Sequence, residues 1–139
     1  MKKNNKGFTL IELLAVIIIL GILMIIAIPS VSKYINDSRK NAYITTAKEY
    51  IKEVEKKVVA KEYKFYEKNK KYRVDISEVP LENEGNSPYG EWVEAYVEVE
   101  YLGSGKWKYY WASLDSAGFK VDLTESTELD TDDIYKVNE

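Results

Sequence analysis

The chain begins with a long apolar run, which then gives way to a periodic pattern of apolar and charged positions. From Gly7 to Ile28 almost every side chain is apolar, and Glu12 carries the only charge. At 1.5 Å rise per residue, a helix over residues 8–28 would be about 31 Å long, close to the thickness of a bilayer's hydrocarbon core. The run therefore predicts a membrane-spanning helix, which we assign to residues 8–30.

The pattern after this run predicts that the helix continues with an amphipathic half over residues 31–68, clearest as far as about Phe65. Pro29 lacks an N–H and disfavours helical geometry in the residue before it, so we expect a kink there. Apolar side chains recur at the spacings of one helix face, at Tyr43, Ala47, Tyr50, Ile51, Val54 and Val58. The other face is charged, and we expect it to face solvent.

Turn-forming residues mark the next segment, residues 69–91, as a connecting loop with a candidate short strand at Tyr72 to Ile76. From Trp92 to Leu102 apolar and polar positions alternate, which is typical of a half-buried strand. The turn-forming residues of the loop before this strand are Pro80, Asn83, Gly85, Asn86, Pro88 and Gly90.

Residues 92–139 predict an antiparallel sheet followed by an acidic tail. Glycine turns after Leu102 and Leu114 separate a first strand from two more, and Lys106 and Lys108 would face Glu98 and Glu100 across the first hairpin. The predicted fold is therefore α+β, with a long N-terminal helix packed on a small three-stranded antiparallel β-meander.

The start of the apolar run fits neither of the two ordinary types of apolar N-terminus. A secretory signal peptide has a shorter apolar core and a small-residue cleavage site after that core, whereas here the small residue, Gly7, precedes it. A simple anchor has no use for a carboxylate one turn inside its apolar end, because charges at membrane depth are costly. Glu12 therefore requires a functional explanation.

The string KGFTLIE, from Lys6 to Glu12, resembles the processing and methylation site of type IV pilins and pilin-like proteins. The resemblance covers about the first 50 residues. It implies that residues 1–7 are a basic leader, which a prepilin peptidase removes by cutting between Gly7 and Phe8 before the new Phe8 amine is methylated. It also implies that Glu12 pairs with the Phe8 amine of a neighbouring subunit during assembly.

The resemblance further implies that Gly21 and Pro29 are helix-weakening positions, with a locally unwound segment between them in assembled filaments. The role of Glu12 has a clear physical basis. Cleavage would create a cationic amine beside apolar surface, and a buried amine needs a partner. A carboxylate supplies one, and methylation keeps the positive charge of an amine.

Composition narrows the chemistry that the chain can perform. The chain contains no cysteine and no histidine, which excludes disulfides and thiol chemistry and removes the commonest general base. We therefore expect neither an enzyme nor a cofactor. Asp130, Asp132 and Asp133 are the only candidates for a metal site, but no glycine turn or bidentate glutamate accompanies them, so we expect a solvated tail or a helix-capping aspartate.

Charge divides the chain into a basic and an acidic part. Residues 33–73 hold 13 basic and 6 acidic side chains, whereas residues 74–139 hold 4 and 16. Two interpretations remain open: a solvated helix face with an acidic soluble head, or attraction between basic helices and acidic heads of adjacent subunits. Lysines interleaved with Tyr63 and Tyr66 form a basic-aromatic pattern of the kind that binds nucleic acid, but the acidic head argues against that function.

The resemblance implies a structural subunit of a type IV pilus-like extracellular filament. Its partners would be copies of itself, the prepilin peptidase and membrane proteins of an inner assembly platform. Before assembly it would be a single-pass protein of the bacterial cytoplasmic membrane. Two alternatives remain: a pilin-like subunit of a type II secretion or competence DNA-uptake apparatus, or a simple membrane-anchored extracellular binding domain.

Overall fold

The computed structural model describes residues 5–83 and 85–138. The chain divides at residues 37 and 38 into two compact units. The regular elements are α1 (Leu10–Val59), β1 (Lys71–Asp75), β2 (Trp92–Gly103), β3 (Lys106–Asp115), β4 (Phe119–Glu125) and β5 (Tyr135–Lys136), with short 3₁₀ turns at Ile76–Glu78 and Thr131–Asp133. The α+β class predicted from the sequence is confirmed.

The first unit contains the apolar half of α1. Its large apolar side chains are exposed, from Phe8 (88%) to Ile35 (46%). By length and composition α1 is able to cross a membrane. The helix includes Gly21 and Pro29 without a break in its assignment, so an unwound segment between them in a filament stays a prediction.

Helix α1 ends at Val59, several residues before the end predicted from the apolar pattern. The chain reverses there because Lys61 adopts a left-handed conformation, with φ of 59°. The N–H of Glu62 donates to the Lys57 carbonyl at 3.0 Å, and the N–H of Lys61 donates to the Val58 carbonyl at 3.0 Å. These two bonds form a Schellman motif, which satisfies carbonyls that the helix end leaves open.

The second unit is built on an antiparallel sheet of five strands in the order β1-β2-β3-β4-β5. The central three are the predicted meander, so the prediction of three strands was too low by two. Strand β1 pairs with β2 through Val74 opposite Val97, which confirms the candidate strand at Tyr72 to Ile76 within one residue. Strand β5 was missed because two residues carry no readable alternation.

The core lies between one face of this sheet and the apolar stripe of α1. All six stripe positions named from the sequence are buried, with Tyr43, Ala47 and Val54 at 0% exposure. Trp111 is fully buried beneath the helix, and its ring stacks on Tyr50 with centroids 5.8 Å apart. The stripe therefore packs on the sheet as the α+β prediction requires.

The cross-strand charge pairing differs from the prediction. Lys108 lies opposite Glu100 in the register, but its ammonium pairs with Glu125 on β4 at 3.3 Å. Lys106 lies opposite Gly103, because the β2–β3 turn shifts the register. Glu98 instead pairs with Lys71 on β1 at 3.2 Å, a partner that the sequence pattern had not assigned to the sheet.

Buried polar contacts attach the loop before β2 to the rest of the second unit. The Asp115 carboxylate, 2% exposed, accepts hydrogen bonds from the Ser87 hydroxyl at 2.6 Å and from the Phe119 amide at 2.9 Å. The Tyr50 hydroxyl donates to the Gly85 carbonyl at 3.1 Å. A buried carboxylate is tolerated when donors satisfy it, so these bonds fix the loop to both the helix and the β3–β4 turn.

Candidate functional site

The segment that precedes α1 and carries the start of the KGFTLIE string is not helical and is open to solvent. Residues 5–9 are not helical, and α1 begins at Leu10. Phe8 is 88% exposed, and a side chain added at Gly7 would meet no atom within 4 Å. The Gly7–Phe8 peptide bond therefore lies in an exposed, non-helical stretch of chain.

Thr9 and Glu12 form a reciprocal pair of hydrogen bonds around the first turn of α1. The Thr9 amide donates to Oε2 of Glu12 at 3.1 Å, and the Glu12 amide donates to Oγ1 of Thr9 at 3.3 Å. This is a capping box, in which two orphan donors at a helix start are satisfied by side chains. The carboxylate also lies near the positive end of the helix dipole, which favours a negative charge.

This arrangement leaves the Glu12 carboxylate with unused capacity. An ionised carboxylate has two oxygens that accept hydrogen bonds, and among the described residues only Oε2 has a partner. Oε1 is exposed with the rest of the side chain. The same carboxylate is therefore able to cap its own helix and to accept a donor from outside the subunit.

A family model described as the prokaryotic N-terminal methylation motif matches residues 2–28. The chain carries the type IV prepilin-like signal motif. Searches of curated proteins and of solved structures gave no significant match. The prepilin-like motif contains Gly7, Phe8 and Glu12 at its start and Gly21 further along, whereas Pro29 lies just beyond it.

The prepilin-like motif and the apolar helix are together consistent with a membrane-anchored precursor. Proteins with this motif are structural rather than enzymatic, and the motif implies processing by a prepilin peptidase. The structure places Gly7, Phe8 and Glu12 in one short segment, while Gly21 and Pro29 lie further along the same helix.

Thr9 was not among the site residues predicted from the sequence, although its spacing to Glu12 carries a signal. A threonine followed three residues later by glutamate, immediately before an apolar helix, is the sequence signature of a capping box. Asp75 and Glu78 repeat this spacing at a 3₁₀ turn, where the Ser77 amide and hydroxyl hold the pKa of the Asp75 carboxyl below its usual value.

The acidic tail shows the same local use of carboxylates. Asp130 is the N-cap of the 3₁₀ turn Thr131–Asp133, and Asp133 Oδ2 accepts from the Asp130 amide at 2.8 Å. Asp132 is exposed on this turn. Within residues 5–83 and 85–138, no group of three or more acidic side chains is arranged to hold a metal ion.

Proposed function

We propose that this chain is a structural subunit of a type IV pilus-like extracellular filament. In this proposal a prepilin peptidase cuts between Gly7 and Phe8, the Phe8 amine is methylated, and α1 assembles with copies of itself. The observation that carries the proposal is the prepilin-like motif, whose first residues form an exposed, non-helical segment that leads directly into an unburied apolar helix.

The conformation around Gly7 supports cleavage at this bond. A peptidase must bind its substrate in an extended form, and a helical bond would first have to unfold. Here the helix starts two residues after Phe8, and the segment before it is exposed. Because Gly7 has no side chain, it also lets a catalytic group approach the backbone closely.

The capping box at Thr9 and Glu12 supports a role for Glu12 in assembly. A new amine at Phe8 would be a cation beside the positive end of the α1 dipole, which is unfavourable without a nearby anion. In a filament, where α1 is surrounded by apolar surface, this amine would need a carboxylate from a neighbour. Oε1 of Glu12 supplies an acceptor that the cap does not use.

The unburied apolar side chains of α1 support assembly through this helix. Apolar area removed from water is worth about 25 cal/mol per Å². An exposed apolar patch of this length is not stable in water, so it requires either lipid or other copies of the helix. A precursor in the membrane would cover the helix with lipid, and a subunit in a filament would cover it with other copies of α1.

The test compares Glu12→Val with Thr9→Val in cells. We expect Glu12→Val to insert and be cleaved normally but to lose filaments, because the neighbour's amine would be buried unpaired at a cost of about 3–5 kcal/mol. Thr9→Val is the matched control, since it weakens the cap by about 1 kcal/mol and keeps the carboxylate. Filaments are sheared from cells and quantified beside precursor cleavage and membrane abundance.

Normal filament yield from Glu12→Val would contradict the pairing. Equal losses from both variants would show that Glu12 matters only as a cap. Glu12→Gln separates charge from shape, and we expect it to assemble poorly. The N-terminal mass of the sheared protein tests processing, because an intact Met1 on the mature chain would rule out the proposed cut.

The presence of long sheared filaments also separates the proposal from its alternatives. A pilin-like subunit of a secretion or DNA-uptake apparatus would be cleaved at Gly7 without forming long filaments. A simple anchored binding domain would keep Met1, and a bulky residue at position 7 would leave it unchanged. In a filament subunit, Gly7→Leu should retain the full-length precursor.

A further inference from the structure

The segment between α1 and β1, residues 60–70, which we call the basic connection, presents lysines to solvent. It contains Lys61, Lys64, Lys68 and Lys70, all of them exposed. Its two carboxylates are already paired, Glu62 with Lys57 at 2.9 Å and Glu67 with Lys70 at 3.0 Å. Within the described residues, the ammonium groups of Lys61, Lys64 and Lys68 have no acidic partner.

The basic connection is held in place by aromatic packing. The Phe65 ring lies between Tyr63 and Tyr72, with centroids 4.8 and 4.3 Å away. The Asn69 amide donates to the Tyr101 carbonyl at 2.8 Å, which attaches the segment to the end of β2. Stacked aromatic pairs stabilise a contact beyond the area that they bury. The lysines are therefore presented on a fixed backbone.

The segment between β4 and β5, residues 126–134, which we call the acidic connection, has the opposite charge. It contains Glu128, Asp130, Asp132 and Asp133 and no lysine or arginine. Its backbone is anchored by Leu129 and Ile134, which are 3% and 5% exposed in the core. The capping box at Asp130 fixes the turn between them.

No ion pair joins the two connections within one subunit, in the part of the chain that the structure describes. The acidic connection leaves Glu128 and Asp132 exposed and unpaired, and neither is used by the capping box. Each subunit therefore carries two charged surfaces of opposite sign, each fixed to the core and each without a partner. Contact between two basic connections, or between two acidic ones, would bring like charges together, so complementary charge favours contact of one kind with the other.

We propose that the basic connection of one subunit contacts the acidic connection of a second copy. When this contact is made without its reciprocal, so that each subunit uses its two connections on two different neighbours, it is heterologous, and if it does not close into a ring it repeats as an open helical filament. Complementary charge fixes the register of such a contact more than it adds affinity. This inference rests on the proposed function and assigns a second contact to it, separate from α1.

The first test is chemical cross-linking in intact filaments. The natural chain contains no cysteine, so Lys64→Cys and Asp132→Cys introduce the only thiols. We expect a short bis-maleimide to join filaments of the double variant into a ladder of dimers, trimers and larger species on a denaturing gel. The single variants are the controls, and in a heterologous contact neither should give a ladder.

A ladder in the double variant alone supports the contact. If filaments of the double variant form normally but their subunits still run as monomers on the gel after cross-linking, the contact is overturned. The proposed function is then left intact. Dimers from Lys64→Cys alone also overturn it, because they would show that like surfaces meet. Absence of filaments from unmodified cells would refute the proposed function and this contact together.

The second test exchanges the charges. Reversing Lys61, Lys64 and Lys68 to Glu should lower the yield of sheared filaments about tenfold, because like charges would then face each other. Adding Glu128→Lys and Asp132→Lys should restore it to within about twofold. Adding Glu82→Lys and Glu91→Lys instead gives the same net charge at acids outside the acidic connection, and should not restore it.

Full yield from the triple lysine variant overturns the contact, as does equal rescue by the two pairs of lysines. The cross-linking test uses different variants, so it still decides whether the contact exists if the triple lysine variant misfolds. Raising ionic strength should reduce the cross-linking rate in filaments, since exposed charges are screened by salt.

Discussion

Replacing Gly85 with alanine should destabilise the second unit far more than the same change at Gly105. Both glycines are left-handed, with φ of 58° and 72°, so alanine at either position costs about 1–2 kcal/mol in backbone strain. The two positions differ in the space available for an added side chain. A Cβ at Gly105 would meet no atom within 4 Å, whereas at Gly85 it would overlap the hydroxyl and ring of Tyr50.

The overlap at Gly85 cannot be relieved easily. Tyr50 is 3% exposed, and its ring is stacked on the buried Trp111. Overpacking costs about 1–3 kcal/mol, and losing the Tyr50 hydrogen bond to Gly85 costs about 1 kcal/mol more. We therefore expect Gly85→Ala to lower the free energy of unfolding by about 2–4 kcal/mol more than Gly105→Ala.

The measurement is the urea unfolding of a chain that lacks residues 1–28, with tryptophan fluorescence as the signal that monitors the transition. This truncation retains every buried residue of the core, so we expect it to be soluble and to unfold cooperatively. Equal unfolding midpoints for the two alanine variants would refute the reasoning. They would mean that the loop before β2 shifts away from Tyr50 at no cost, and that the contact does not hold it.

Three further predictions use the same truncated chain. Val54→Asp should unfold it by burying an unpaired charge, whereas Val59→Asp, on the exposed part of α1, should not. Lys61→Gly should raise the free energy of unfolding by about 1 kcal/mol, since glycine adopts the left-handed conformation without strain; a lower midpoint in urea would contradict this. Burial raises the pKa of Tyr109 to about 12, so stability present below pH 10 should be lost as the pH rises towards 12. Tyr109→Phe should reduce this loss of stability at high pH. If the dependence of stability on pH is the same in the variant and in the natural sequence, Tyr109 is not its cause.

The periodic parts of the fold were predictable because burial repeats along them. The apolar stripe of α1 and the alternation in β2 each place several side chains on one face. The structure buries the stripe and, in β2, Ala95, Val97 and Val99, whereas Val93, which the alternation places on the same face, is exposed beside a register shift. The helix end at Val59 was not predictable in the same way. It depends on one left-handed residue, Lys61, which is not a glycine and therefore gives no signal in the sequence.

The candidate site was predictable from its residue types but not from its hydrogen bonds. The string from Lys6 to Glu12 combines a glycine, a phenylalanine and a carboxylate ahead of an apolar run, and the family model that matches residues 2–28 includes this string. The hydrogen bonds between Thr9 and Glu12 follow from the capping-box spacing of the two residues, whereas the charge of Glu12 alone does not indicate them. Tertiary contacts such as Ser87 with Asp115 join residues 28 apart, and no local pattern indicates them.

The two edges of the sheet affect how copies of the second unit meet. Strand β1 carries the exposed charges Lys71 and Arg73 along one edge, and β5 covers the other with only two residues. Charged and very short edge strands prevent one sheet from extending into another. Copies placed side by side would therefore meet through side chains rather than through shared backbone hydrogen bonds. Contacts of this kind would not lead into the near-irreversible cross-β state.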